Sequence, residues 1–434
     1  MKNKAFGLWS TIFLGIGSMV GAGIFIVIGE AGSIAGNIVW VSFVIGGIIA
    51  FLSGYSLAKL ALRYPSRGGI VEYLVQEFNV NIFSGGMSVM FYFAELITIA
   101  AVTKSFGEYG ARLFGHSSTF TINSFGLGIL AFFTIVNLIG ANLVAKSENI
   151  IVIIKLSVLV IFTILAFFTI NTEYLSIKNT PPIINMFFAV GLTFFAYQGF
   201  SVITNTIEDM KNSKKNMLRA MLLSILIVMI LYVTISITVL GNLPLKEVIK
   251  AKDYALALAA KPVLGELGFK IMAITALIST ASAINATLYA TTQISYTLAK
   301  NGELPKEYEY NIFHSTEGLL ISVALIIPII LFLNLTEITT VAALSVLIIQ
   351  GIVHLGHLRV YHRTDANKYL VFLAFFFMFL VVILTLYYNA QKDISIIWYL
   401  TGSFILAFII EYTLRKITHR KITKQIPNIY KKFE

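Results

Sequence analysis

Apolar residues in this chain come in runs of about 20, and twelve such runs follow one another with little between them. They fall near 8–28, 37–61, 83–107, 123–142, 147–170, 183–207, 217–240, 268–298, 317–334, 338–358, 368–389 and 394–414. At about 1.5 Å per residue, a helix of that length crosses about 30 Å of hydrocarbon. Inside hydrocarbon every backbone N–H and C=O needs a partner within the protein, so only helices or closed barrels span it. Long runs without alternation fit the helix. The expected class is an all-α integral membrane protein with 12 transmembrane helices. The charged fraction of 12% agrees, since a soluble domain carries about 25%. No polar stretch is long enough for a separate soluble domain. The first run is longer than a signal-peptide core and has no small-residue cleavage site, so it reads as a retained span. Segment 241–267 predicts short interfacial helices.

Charge gives an orientation. The net charge is +11. With the N-terminus in the cytoplasm, about two thirds of the 32 Lys and Arg fall on the cytoplasmic side. They include Lys59, Arg63, Lys211, Lys214, Lys215, Arg219, Arg359 and the basic tail from Arg415. Both termini are therefore expected in the cytoplasm of a cell-membrane protein. The positive charge is topology rather than a nucleic-acid footprint. There are no cysteines, which removes disulfides and thiol chemistry.

The first span contains GIGSMVGAGIF, residues 15–25. Each glycine costs about 1 kcal/mol against alanine in a helix interior. Gly17 and Gly21 have GxxxG spacing, which suits close helix packing. The sharper reading is a helix broken at Gly21-Ala22-Gly23. A break frees backbone groups, and these survive in a bilayer only where they line a cavity or meet a ligand. The half-helix N-terminus then suits a carboxylate, and freed carbonyls suit an ammonium. A zwitterionic amino acid needs both. Transporters built from inverted repeats break a corresponding helix in each half. Five spans on, the sixth is interrupted at Phe194-Phe195-Ala196-Tyr197-Gln198-Gly199-Phe200.

GIGSMVGAGIF and FFAYQGF together resemble the paired signatures of the amino acid–polyamine–organocation (APC) transporters. NSKKNMLRA (212–220) is similar to that family's cytoplasmic N-P-[KR]-x-x-P-x-A-like motif without its prolines. LAKNGELP (298–305) is similar to A-x-D-G-x-L-P with Asn301 for Asp. The resemblance covers nearly the whole chain and is strongest to archaeal proton-coupled members. It implies a LeuT-like 5+5 inverted repeat with helices 1 and 6 discontinuous. Repeat 1 is then 1–172, repeat 2 is 183–360, two extra helices occupy 366–416, and 417–434 is a basic cytoplasmic tail. It also implies amino acid transport by alternating access. The substrate-binding set would be Gly17, Ser18, Met19, Gly21, Ala22, Gly23, Phe194, Phe195, Ala196, Tyr197 and Gly199, with Glu95 and Asn285.

Two ionisable residues stand inside spans. Lys155 lies about eight residues into the fifth span, about 12 Å deep. A charged lysine there costs about 2.5–3.5 kcal/mol or more. It either snorkels to the interface or carries a proton, since burial disfavours the charged form of an amine. The resemblance implies the second, with the amine in place of the Na⁺ of sodium-coupled relatives. Its contacts would then be carbonyls near Gly15 and Gly17 and a hydroxyl of Ser279, Thr280 or Ser282. Glu95, mid-span three, would titrate or meet a cationic substrate group. Lys104, about 13 Å further along, reads as an interfacial snorkeller.

Related carriers place an acid just after the span-six break, where this chain has Ser201. Together with the small Ser18, Ala22 and Ala196, this favours neutral substrates. Asn285, Tyr289 and Gln293 share one face of span eight. Phe195 and Phe200 would gate. Gln350 and His354 are four apart, but no third ligand is in view, so no metal is expected. No cofactor is expected either. No Walker loop, HExxH or nucleophile set is present, and there are only six histidines, which argues against an enzyme. The expected activity is sodium-independent, proton-coupled amino acid uptake. The expected partners are the amino acid, protons and lipid. The competing reading is an exchanger, including one for cationic amino acids or polyamines.

Overall fold

The computed structural model describes residues 6–21, 23–66, 68–139, 142–176, 180–313 and 315–418. Ala22, Arg67 and the tail beyond Thr418 lie outside them. Among the described residues, ten helical stretches are long and apolar enough to cross a membrane, and two shorter apolar helices, Leu8–Met19 and Glu317–Phe332, accompany them. In chain order the helices are α1 Leu8–Met19, α2 Gly23–Ala35, α3 Val39–Arg63, α4 Ile70–Phe78, α5 Ile82–Leu113, α6 Thr119–Ile139 and α7 Asn142–Phe167. Then come α8 Asn185–Phe188, α9 Val190–Tyr197, a 3-10 helix Phe200–Asp209 and α10 Ser213–Asn242. The remainder are α11 Leu245–Lys250, α12 Ala255–Ala259, α13 Lys261–Asn301, α14 Glu317–Phe332, α15 Leu335–Thr364, α16 Lys368–Lys392 and α17 Ser395–Thr418. The membrane face at which α1 begins is the near face, and the opposite one is the far face.

The first span is interrupted at Val20-Gly21, and its second half continues to Ala35, past the expected end at residue 28. The sixth is interrupted at Gln198-Gly199, after which the backbone tightens into the 3-10 helix. α13 runs past both expected ends and bends at Leu264 and Gly265. Helix α4 was not foreseen. It fills the connection before α5 and buries most of its residues. Segment 241–267 forms helices as expected, but not as a lipid-interface layer. Val248 and Ala255–Ala257 are buried in the protein, because α11 and the following 3-10 helix Lys252–Tyr254 pack on α2.

α5 is the central helix, buried along most of its length against α13, α15, α17 and α6. The outer helices show lipid a broad apolar face. On α7, Ile153, Ile161 and Ile164 point outward, whereas Val152, Lys155, Leu159, Phe162 and Ala166 form a buried stripe at helical spacing. Lys104 does not snorkel. It is 5% exposed and donates to Asn123 Oδ1 and to the Ile330 carbonyl, both at 2.7 Å. α6 and the end of α14 thus receive the charge that the interface would have received.

A polar seam joins α3 to α15 over their near halves. Ser53 Oγ meets Gln350 Oε1 at 3.1 Å and His354 Nε2 at 2.8 Å. Ser56 Oγ meets His354 Nδ1 at 2.9 Å and His357 Nδ1 at 2.7 Å. Gln350, His354 and His357 therefore serve helix packing.

Small residues set the approach of α5 and α6. A side chain at Gly107 would strike the Ile122 backbone, whereas nothing lies within 4 Å of a side chain at Gly128. Gly107→Val is expected to cost about 1–3 kcal/mol and to lower the thermal midpoint of the purified protein. Gly128→Val should leave that midpoint nearly unchanged. Equal effects from the two variants would refute this packing.

Candidate functional site

The two interruptions face each other. At the first, Val20 N–H still reaches the Ile16 carbonyl at 2.8 Å, and the chain then leaves helical geometry. At the second, Gly199 has φ +115°, a left-handed backbone that disfavours any side chain. A side chain at Gly199 would also lie 2.7–3.0 Å from Ser18 atoms. A side chain at Gly23 would collide with the Ala196 backbone. The breaks interlock at Ser18–Gly199 and Gly23–Ala196, and glycine permits both approaches.

An interrupted helix leaves its last carbonyls without N–H partners. Here, side chains from three other helices supply them. Lys155 Nζ of α7 donates to the Gly17 carbonyl at 2.8 Å, and Lys155 is fully buried. Tyr232 of α10 donates to the Met19 carbonyl at 2.8 Å and reaches the Ala196 carbonyl at 3.3 Å. One hydroxyl thus touches both breaks. Ser279 of α13 lies against the Val20 carbonyl at 2.8 Å and also against that of Gly21.

Other expected site residues take different places. Thr280 donates to Ala276 of its own helix at 2.7 Å. Ser282 is buried nearby. Gly15 packs against Ile203 and Ser224. Tyr197 turns toward α3, donating to the Phe43 carbonyl at 2.8 Å with its ring 5.2 Å from that of Tyr232. Phe194 packs edge-on to Phe200 at 6.4 Å, and Phe195 and Met19 are buried. Asn285 accepts from Asn137 of α6 at 2.9 Å, and Tyr289 on the same face is exposed. Glu95 is partly buried, and its carboxylate makes no hydrogen bond or ion pair among the described residues.

Access differs on the two sides of the break. α2 is buried without exception from Gly23 to Gly32. Ser18, Gln198 and Gly199 are partly exposed. The far side is shut and the break is more open toward the near side. A cavity of about 210 Å³ lies elsewhere, between α7 and α10, lined by Thr163, Ile164, Phe167, Thr234, Ile237 and Thr238. Ile164 and Phe167 are more than half exposed, so it is a lipid-facing crevice.

The sequence reading did not single out Tyr232. Its only signal was a tyrosine inside the apolar run LIVMILYVTISI, where a buried hydroxyl needs a partner. Ser279→Ala removes the partner of two carbonyls, whereas Thr280→Ala removes only an intrahelical bond. Ser279→Ala is expected to lower the thermal midpoint of the purified protein by clearly more than Thr280→Ala does. The reverse order would contradict the geometry.

Residues 6–410 match the family described as amino acid permease. The chain is 37% identical over 429 residues to an uncharacterized protein of Methanocaldococcus jannaschii, covering 98% of this chain and 99% of that one. It is 33% identical over 418 residues to the inner membrane transport protein YbaT of Escherichia coli, covering 95% and 97%. It is 25% identical over 320 residues to the aspartate-proton symporter of Bacillus subtilis, covering 69% and 61%. With its array of apolar helices and its paired breaks, the chain belongs to the amino acid permease family of multi-pass membrane transporters, in the APC superfamily, and is not an enzyme.

Proposed function

We propose that the chain takes up neutral amino acids together with protons, without sodium, by alternating access, with both termini in the cytoplasm. The observation that carries this reading is the Lys155 ammonium on the Gly17 carbonyl, at the broken end of α1. A sodium ion at such a place supplies one positive charge to backbone oxygens. A protonated lysine supplies the same charge and, unlike sodium, can give up a proton and stay.

The substrate sits at the interlocked breaks. The N-terminus of α2, beginning at Gly23, offers unpaired N–H groups and a partial positive charge to the carboxylate. The substrate ammonium replaces the Tyr232 or Ser279 hydroxyl at the α1 carbonyls. Gly17, Ser18, Met19, Gly21 and Gly23 form one wall. Phe194, Phe195, Ala196, Tyr197 and Gly199 form the other, with Asn285 behind. Ser201 in place of an acid leaves no fixed charge for a cationic side chain there. Glu95, in the adjoining helix, is a second group able to hold a proton.

The test is uptake of labelled alanine by proteoliposomes with an imposed inward proton gradient and no sodium. Accumulation is expected, and a protonophore should collapse it. Lys155→Ala should lose at least tenfold of the gradient-driven accumulation. Glu95→Gln should fold normally and lose uptake several-fold. If Lys155→Ala accumulates alanine as well as the unaltered protein, the proton role of Lys155 falls. Transport seen only against preloaded amino acid would establish an exchanger instead.

A further inference from the structure

The far side of the break is closed by a second polar cluster, distinct from Lys155. Glu30, near the end of α2, is 1% exposed. Its Oε1 accepts from Thr336 of α15 at 2.6 Å, and Lys252 Nζ lies 3.8 Å away. Lys252 also bonds to Thr336. The Asp253 carboxyl lies beside that of Glu30, and its Oδ1 is buried without a hydrogen-bond partner among the described residues. Three elements meet here: α2, the 3-10 helix Lys252–Tyr254 and α15.

Two carboxyl groups buried side by side favour a proton on one of them, because like charges in contact do not both ionise. The charges nearby agree. Lys252 is the cation in contact with the pair, and Tyr388 of α16 faces Glu30. Around Asp253 stand Lys104, Glu108, Tyr109 and Arg112 of α5. Lys104 is engaged with Asn123 and Ile330. Arg112 pairs with Glu108 at 3.7 Å and lies over the Tyr254 ring at 4.8 Å. Two acids therefore share one lysine, and a single proton brings the group to neutrality.

The contact exists only when α2 is seated. A side chain at Gly29 would collide with the Lys252 backbone, so helix and loop touch without a gap. Tyr109 donates to the Phe25 carbonyl at 2.9 Å and fixes the same segment to α5.

We propose that Glu30 and Asp253 form a proton-binding latch that holds the far mouth of the carrier shut when protonated and releases it when the proton leaves. The proposal rests on the alternating-access reading, but not on Lys155 or on the choice of substrate. Burial holds the Asp253 carboxyl above the ordinary carboxylate range in the closed form. Opening returns it to water and to its usual value. Closure is thus favoured at low pH, and that advantage is lost as pH rises through the closed-form value. With one proton linked, the closed-to-open ratio changes by at most about tenfold per pH unit.

The chain has no cysteine, so two introduced cysteines give clean labelling. Exposed Lys250 of α11 and exposed His116 beyond α5 are suitable positions for Lys250→Cys and His116→Cys. Their spin labels would be measured by pulsed electron resonance in lipid nanodiscs between pH 5 and pH 8. A longer-distance population is expected to grow several-fold as pH rises. Asp253→Asn, which leaves Glu30 opposite Lys252, mimics the singly protonated pair and should stay short at every pH. Thr336→Val keeps both acids and should retain the shift. Distances unmoved by pH, or a shift that survives Asp253→Asn, would overturn the latch. These measurements need no gradient and no transport, so failure of proton-driven uptake would remove the transport reading alone.

Discussion

A helix interrupted in hydrocarbon exposes backbone carbonyls where no water can reach them, and each costs several kcal/mol if left alone. The rest of this structure is arranged around that cost. The carbonyls of Gly17, Met19, Val20 and Gly21 are met by one lysine, one tyrosine and one serine, each from a different helix. None of these three side chains could be displaced far without stranding a carbonyl. The break therefore dictates where α7, α10 and α13 stand, although it lies on none of them. Lys155 shows the same logic from its own side. A buried ammonium needs acceptors, and the broken end of α1 is a rare place in a membrane where a backbone acceptor is available.

The breaks also support each other directly. Gly23 and Gly199 bring backbone against backbone where any side chain would intrude. Glycine is costly within a helix, and here that cost secures two things at once: an interruption and the room for its counterpart. Tyr232 then bridges the two with one hydroxyl. A polar group placed between two irregular segments is more restrictive than one serving a single segment, because neither can shift alone.

Much of this was legible in the sequence. Apolar run length gave the helical membrane class, and glycine placement gave both breaks to within a residue or two. Lys155 was visible because an isolated charge in an apolar run needs a special partner, and the family resemblance pointed to carbonyls near Gly15 and Gly17. What escaped had a common cause. Lys104 looked interfacial because run length measures depth but not which face of a helix points inward. Tyr232 looked like one more aromatic among apolar neighbours, since its importance lies in a carbonyl 213 residues away in sequence. Segment 241–267 looked like a surface layer because its apolar residues have a lipid-compatible spacing. Its true cover, α2, is itself mostly apolar, so composition could not distinguish protein from lipid as the partner.

The seam between α3 and α15 has a mechanical meaning. Ser53 and Ser56 each bridge two side chains of α15, in register along both helices. Sliding one helix past the other by a residue would misplace all of these bonds together. Small sliding is thus opposed over the near halves, while rotation of the pair as a block costs nothing at the seam. α3 and α15 come from distant parts of the chain yet form one rigid body there, so the protein has fewer independent moving parts than its helices would suggest.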